Sequence, residues 1–394
     1  MRSRDQCTIS PRRVHQEAAS IVREYLHIRD HGWKCRSSVL ISILFFAAAR
    51  IASIHDACQR LLCTPSDEAV RQALRAMCPA MAEMERRANA ALSCRLWKRL
   101  RRRPQRLAID LTEIPYHGEP YQDPRELRSG RPKHGTTRFH TYATVYVVQH
   151  GERLTLAVTY VWRDDALRDV VRRLLRRVRE LGISIRYLLL DREFYSLNVV
   201  QYLKAAHYAF LMPVVLRGRR AKDPSRAKGP QRFLAWDHSG FSEHTLRNQG
   251  RTARVRIAVA YFSSGDRRGR QRRRRLVFAF WGFQPPNCHW VREEYRRRFS
   301  IETSYRQMNQ GRIRTCVRNP VLRMLLVAIA LILRNLWVWL HRELLAVRLP
   351  NGKLDLREHQ MRLRTMTLCL ERYAEAFLRC AEYVEPKFLL SKDL

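Results

Sequence analysis

Ile185-Arg-Tyr-Leu-Leu-Leu190-Asp191-Arg-Glu-Phe-Tyr195 is a short apolar run that ends on a carboxylate. A run of this length bounded by helical patterns reads as a buried strand whose C-terminal end opens toward a cleft. The preceding stretch, Asp164–Leu181, places apolar residues at helical spacing among arginines. The following stretches read as a helix, Leu197–Ala206, and a strand, Tyr208–Val215. Further upstream lie three β-type runs, Leu107–Leu111, His140–Val148 and Leu154–Val161. Strands that precede helices and then alternate with them predict an α/β layer, antiparallel at first and parallel through helical crossovers afterwards.

Three strands, helix, strand, helix, strand is the order of an RNase H-like (retroviral-integrase-like) core, and the rest of the chain is organised around it. Residues 104–218 form the first part of this core and 287–345 the second, in which a long helix opens at Trp290. Between them, 219–286 is a β-rich insertion: Arg254–Phe262 and Leu276–Phe283 flank Ser264-Gly265-Asp266 and a run of arginines, the pattern of a hairpin. Residues 1–103 read as a helical N-terminal domain. Ser10-Pro11 gives a cap and first-turn proline, Val39–Ile54 is an apolar helical run, and Thr64-Pro-Ser-Asp67 starts a further helix through Met77. This region ends in a basic linker containing Arg101-Arg102-Arg103-Pro104; it either recognises DNA ends or is a helical bundle that merely braces the core. Residues 346–394 are a C-terminal helical region.

Composition narrows the partners. Across 394 residues, 75 Lys and Arg against 36 Asp and Glu give a formal net charge of +39. That excess opposes compaction unless a polyanion neutralises it, and it favours nucleic acid. With 46% hydrophobic residues the chain can bury a core, which excludes a disordered basic tail. No pair of the ten cysteines has C-x2-C spacing, so a zinc site or disulfide frame is not indicated and buried thiols in a reducing compartment are expected. The N-terminus has no apolar secretory segment. Val321–Leu345 is apolar, but only Met324–Leu333 is uncharged, about half of the ~20 residues a membrane span needs; a buried core helix is expected. The predicted location is the cytoplasm, in association with the nucleoid.

Three acids stand out. Asp110 ends the run Leu107-Ala-Ile-Asp110, Asp191 ends the fourth strand, and Glu302 lies in the late helix. One Asp at a strand end commonly caps a turn. Two of them on the first and fourth strands, followed by a helical Glu, point instead to capture of divalent cations for phosphodiester chemistry. At about 100° per residue, Tyr295, Arg298, Glu302, Arg306 and Asn309 fall on one face of a continuous helix. Glu113 and Glu193 read as surface or supporting acids, and His117 and His140 lack partners at catalytic spacing. Tyr195 and Tyr305 lack the neighbourhood of a covalent recombinase tyrosine. Arg272–Arg275 reads as a loop that either clamps DNA or is simply solvated.

The sequence resembles the DDE-type insertion-sequence transposases whose helix signature is Y-x2-R-x3-E-x6-K. Tyr295, Arg298 and Glu302 match in register, and Asn309 stands where the signature has Lys. Ile109-Asp110-Leu-Thr-Glu-Ile-Pro-Tyr-His-Gly118 and Leu190-Asp191-Arg-Glu-Phe-Tyr195 resemble the blocks around the group's two catalytic aspartates. The resemblance implies a β-rich insertion before the Glu-bearing helix. It also implies Asp110, Asp191 and Glu302 as ligands of two Mg2+ or Mn2+ ions, and contacts from Tyr295 and Arg298 to the DNA end. Arg306 could take over the contact that Asn309 lacks. The implied partners are double-stranded DNA (terminal inverted repeats and target) and a second copy of the chain on paired ends, with no membrane. Cleavage and strand transfer are the expected activity, and a hairpin intermediate would fit. An RNase H-like nuclease or resolvase without strand transfer, and a catalytically dead DNA-binding relative, are the competing expectations.

Overall fold

The computed structural model describes residues 9–216, 228–265, 271–351 and 354–381. The Arg/Gly/Pro-rich stretch after Leu216, the tip of the expected 254–283 hairpin and the end of the expected C-terminal helices lie outside the described residues. The chain divides into two compact units, one drawn from Met1–Ala91 and Gln307–Leu394, the other Leu92–Arg306.

In chain order, the first helices are α1 Pro11–Tyr25, α2 Ser37–Arg50, α3 Ile54–Arg60, α4 Asp67–Ala76 and α5 Met81–Ser93. Capping side chains set their starts: Ser10 accepts from the Arg13 amide, Ser66 from the Ala69 amide, and Ser53 forms a reciprocal box with Asp56. That box divides the apolar run expected to continue to Ile54. Ile51, at φ 54°, closes α2 in the left-handed conformation, and Ser53 then starts α3.

The second unit carries β1 Gln105–Pro115, β2 Arg128–Lys133, β3 Thr136–Val147, β4 Thr155–Val161, α6 Leu167–Glu180, β5 Ile185–Leu190, α7 Leu197–Ala205, β6 Phe210–Pro213, β7 Gly240–Asn248, β8 Arg251–Gly265, β9 Gln271–Trp281 and α8 Cys288–Arg296. Then α9 Phe299–Asn309 runs across the boundary at Arg306, and α10 Pro320–Leu340 and α11 Leu363–Leu378 complete the first unit. There α11 packs on α1 and α2. The apolar α10 is long enough to cross a membrane, yet it is buried from Leu322 to Leu336. Its interior arginines are paired: Arg323 donates to the carbonyls of Val317 and Thr315, and Arg334 to Gln307 Oε1 at 3.3 Å. Among the described residues no cysteine is in a disulfide; Cys35 and Cys288 are buried, but Cys63 and Cys316 are exposed, contrary to a uniformly buried set.

A single nine-stranded sheet spans the second unit. β3 lies antiparallel between β1 and β4, with β2 on the same edge as β4; β1, β5 and β6 are mutually parallel; β9, β8 and β7 then continue antiparallel from β6. The insertion hairpin is thus joined to the central sheet through Phe210–Pro213 against Phe278–Trp281. β9 also absorbs Arg272–Arg275, which lie in the ladder opposite Tyr261–Ser264 and not in a loop. At the joint, Gly282 has φ +85°, and a Cβ there would lie 2.7 Å from the Ala209 Cβ, so only glycine fits the turn.

One sheet face is covered by α8 and α9. Ala108, Tyr146, Leu189, Leu211, Ala258 and Phe280, from six strands, pack against Val291, Tyr295 and Ile301. On α6 the buried positions Val170, Val171, Leu174, Leu175 and Val178 repeat at helical spacing, and this helix packs on β4 and β3.

Candidate active site

Side chains alternate across a strand, so Arg106, Ala108 and Asp110 share one face of β1, and Tyr187 and Leu189 share that face of β5. The parallel register pairs Leu107 with Leu188 and Ile109 with Leu190. Asp191 follows directly on the last of these pairs, one residue past the end of β5 and not within it, and shares Arg298 with Asp110. Asp110 is not at a strand end, as the short apolar run suggested. β1 continues to Pro115 because β3 pairs with it as far as Phe139, and Asp110 faces Thr144 across that ladder.

The third acid arrives from the covering helices. The continuous helix expected from Trp290 is broken: α8 ends at Arg296 and α9 begins at Phe299. Across the break, the amides of Arg297, Arg298, Ser300 and Ile301 each bond three residues back, the tighter 3-10 pattern. Tyr295 and Arg298 therefore do not belong to the same helix as Glu302, Arg306 and Asn309. Tyr295 is buried and donates to the Leu190 carbonyl at 3.3 Å, just before Asp191. Arg306 and Asn309 are exposed, and Arg306 donates to Thr303 Oγ1 at 3.4 Å on its own helix.

Arg298 joins the three acids. Its side chain is 6% exposed, and its guanidinium donates to Asp110 Oδ2 at 2.9 Å and Glu302 Oε1 at 3.1 Å and forms an ion pair with Asp191 Oδ1 at 3.2 Å. Its Nε has no partner among the described residues. Asp110 Oδ1 accepts the Leu111 amide at 2.9 Å. Burial pushes the Asp110 carboxyl up to about 7, against the downward pull of Arg298 and with a smaller upward push from Asp191. Burial works to lower the Arg298 pKa, but Tyr295 and the acids outweigh it and leave the group above its ordinary value.

Two further residues, which spacing alone did not single out, fix this arrangement. The Tyr305 hydroxyl donates to the Asp110 carbonyl at 3.0 Å and shares a 2.7 Å hydrogen bond with Thr144 Oγ1. Tyr305 thus ties α9 to β1 and β3; its signal was its place one helical turn after Glu302. Glu113 and Glu193 are taken by Lys133 at 2.6 Å and Arg128 at 2.8 Å, as expected of surface acids.

The donor chemistry suits a hard divalent cation: carboxylates from β1, from the residue just after β5 and from a helix converge on a single positive group. With that group in place, no set of three His, Cys, Asp or Glu side chains among the described residues is itself grouped to hold an ion. Arg298 occupies the position where the acids meet.

A mixed α/β sheet that presents neighbouring carboxylates under a helix-borne acid, in so basic a chain, defines an enzyme that acts on nucleic acid. The transposase DDE domain family matches residues 101–336, more than half of the chain, and the chain belongs to that family. It is therefore a DDE-type transposase, an enzyme acting on DNA. No curated protein matches the sequence.

Proposed function

We infer that the protein cuts the phosphodiesters at the ends of an insertion sequence and joins the freed 3′-hydroxyl to target DNA. The observation that carries this is the convergence of Asp110, Asp191 and Glu302 on the one buried guanidinium of Arg298. The strand order β4-β3-β1-β5-β6, antiparallel then parallel, supports an RNase H-like core into which residues 219–286 are inserted. The helices within 1–103 are assigned to end recognition and the C-terminal helical region to pairing of two copies on two ends, off the membrane and on the nucleoid.

Asp110, Asp191 and Glu302 would hold two Mg2+ or Mn2+ ions. Such ions, when bound, activate the attacking oxygen and stabilise the leaving one. The chain's own residues do the positioning. Tyr305 fixes the Asp110 backbone, and Tyr295 fixes the end of β5 at Leu190. Arg298 keeps three like charges together, and as a planar fork it also suits a phosphate of the DNA end. Arg306 and Asn309, exposed on α9, are the remaining contacts in this reading, with Arg306 supplying the charge that Asn309 lacks.

The test is a labelled duplex carrying the element's own end, incubated with Mg2+ or Mn2+ and either wild type or Glu302→Gln. Cleavage at the boundary by wild type alone, followed by joining to a target plasmid, is the expected result. Cleavage without joining would leave a nuclease. Equal cleavage by both proteins would remove Glu302 from the site.

A further inference from the structure

The three arginines at the α8–α9 break part ways. Arg298 reaches the acids, whereas Arg296 and Arg297 line a cleft of about 420 Å3 together with Arg106, Arg153, His150 and Ser300. Among the described residues that line it, none is acidic. The carboxylate that matters lies beneath. Glu294, 2% exposed, accepts from the Tyr187 hydroxyl at 2.6 Å and Arg106 at 3.1 Å, and forms an ion pair with Arg297 at 3.2 Å. A guanidinium carries five N–H donors. Glu294 therefore fixes two arginines in place and leaves each with donors to spare, the preorganised fork that suits phosphate oxygens. The positive end of α9 adds to the field, since Phe299, Ser300 and Thr303 of its first turns also line the cleft. The Ser300 hydroxyl is shut off from solvent and has no partner among the described residues.

The location gives the ligand. Arg106 and Asp110 project from the same face of β1 four residues apart, about 13 Å along the strand. That is roughly four base steps at ~3.4 Å per step. We propose that this cleft is a second phosphodiester site, which grips the DNA backbone about four base steps from the phosphate held at the acids. The inference rests on the transposase reading above. It gives the enzyme a backbone contact that sets the register of the strand without reading its sequence.

The experiment uses the full chain carrying Asp191→Asn, so that binding is measured without cleavage. A short labelled duplex is titrated by fluorescence anisotropy between ~50 and ~200 mM salt, where removing one phosphate-binding charge flattens the log K against log salt slope by about 0.9. Arg153→Gln/Arg296→Gln should flatten it by about 1–2 and weaken binding several-fold. The exposed pair Arg168→Gln/Arg172→Gln on α6, which removes the same charge, should change it less. A duplex with one uncharged methylphosphonate about four steps from the boundary should weaken the parent but not the cleft variant. Equal slopes for the cleft variant and the α6 variant, with both melting like the parent, would overturn the proposal. So would saturable inorganic phosphate binding that the cleft variant loses while its DNA slope stays unchanged, since the site would then serve a free oxyanion. A parent that binds no duplex at any salt would instead sink the transposase reading, and the cleft with it.

Discussion

Asp110→Asn is expected to make the protein inactive and more stable at the same time. The Asp110 carboxyl sits at about 7 where an unfolded aspartate sits near 3.8, because burial outweighs the attraction of Arg298. Between these two values the native state binds more protons than the unfolded one, so stability falls as pH rises through that window and stays low above it. Three pKa units at 1.36 kcal/mol each amount to about 4 kcal/mol. The side chain keeps 15% exposure, so a gain of about 2–4 kcal/mol for asparagine is expected above pH ~7, shrinking toward nothing near pH ~4. The pull of Arg298 is already contained in the shift and is not subtracted again. The assay is urea unfolding of wild type and Asp110→Asn in EDTA at about pH 5 and about pH 8, with midpoints and slopes fitted together. Parallel pH profiles for the two proteins would refute the argument. An Asp110→Asn protein that is weaker at the higher pH would show that the ion pair outweighs burial. Divalent cations should narrow the gap by stabilising wild type alone, by about 2.7 kcal/mol at a hundred times Kd.

Arg298→Gln should cost about 3 kcal/mol near pH 8 because it leaves a buried carboxylate unpaired, and less at pH ~5 where Asp110 takes up a proton; calorimetric melting that shows the same loss at both pH values would contradict this. The more exposed pairs with Asp191 and Glu302 contribute little to that figure. Tyr305→Phe removes the hydroxyl between Thr144 and Asp110. It should cost about 1–2 kcal/mol and lower the cleavage rate while leaving duplex affinity intact; a change in affinity alone would count against a positioning role. Gly282→Ala meets Ala209 at a positive φ and should lower stability by about 1–3 kcal/mol, read by circular dichroism melting; an unchanged midpoint would show that the β6–β9 joint tolerates a side chain.

Much of the acid-bearing sheet was legible because its strands are apolar and end in turn signals. Ile185–Leu190 is a strand just where the run Ile-Arg-Tyr-Leu-Leu-Leu placed it. β2 and β7 were not legible: Arg-Ser-Gly-Arg-Pro-Lys and Gly-Phe-Ser-Glu-His-Thr-Leu-Arg-Asn lack a clean apolar alternation, and their neighbours β3 and β8 hold them by ladder bonds. Nor could periodicity reveal that β9 would pair with β6, a contact between distant residues. The break at Arg297–Arg298 contains neither Gly nor Pro, so helical spacing ran straight through it. It still located the Arg298–Glu302 pair, which survives the break at 3.1 Å. What spacing could not supply was the burial of Arg298, which makes that one side chain the counter-ion of three acids while Glu302 stays half exposed.

The division of the chain has a consequence for how it is made. The helices α1 and α2 have their packing partner α11 beyond Leu363, on the far side of the whole catalytic unit. A ribosome adding ~5–20 residues per second needs roughly ten seconds to a minute to bridge that distance. Through that interval α2, whose residues from Leu40 to Ala49 are all buried in the finished protein, has no α11 to cover it. The sheet that carries the acids can meanwhile complete itself from a continuous stretch of chain. Synthesis order thus puts the acid-bearing sheet ahead of the helical unit, and it makes the nascent α1–α2 stretch the one most in need of a chaperone.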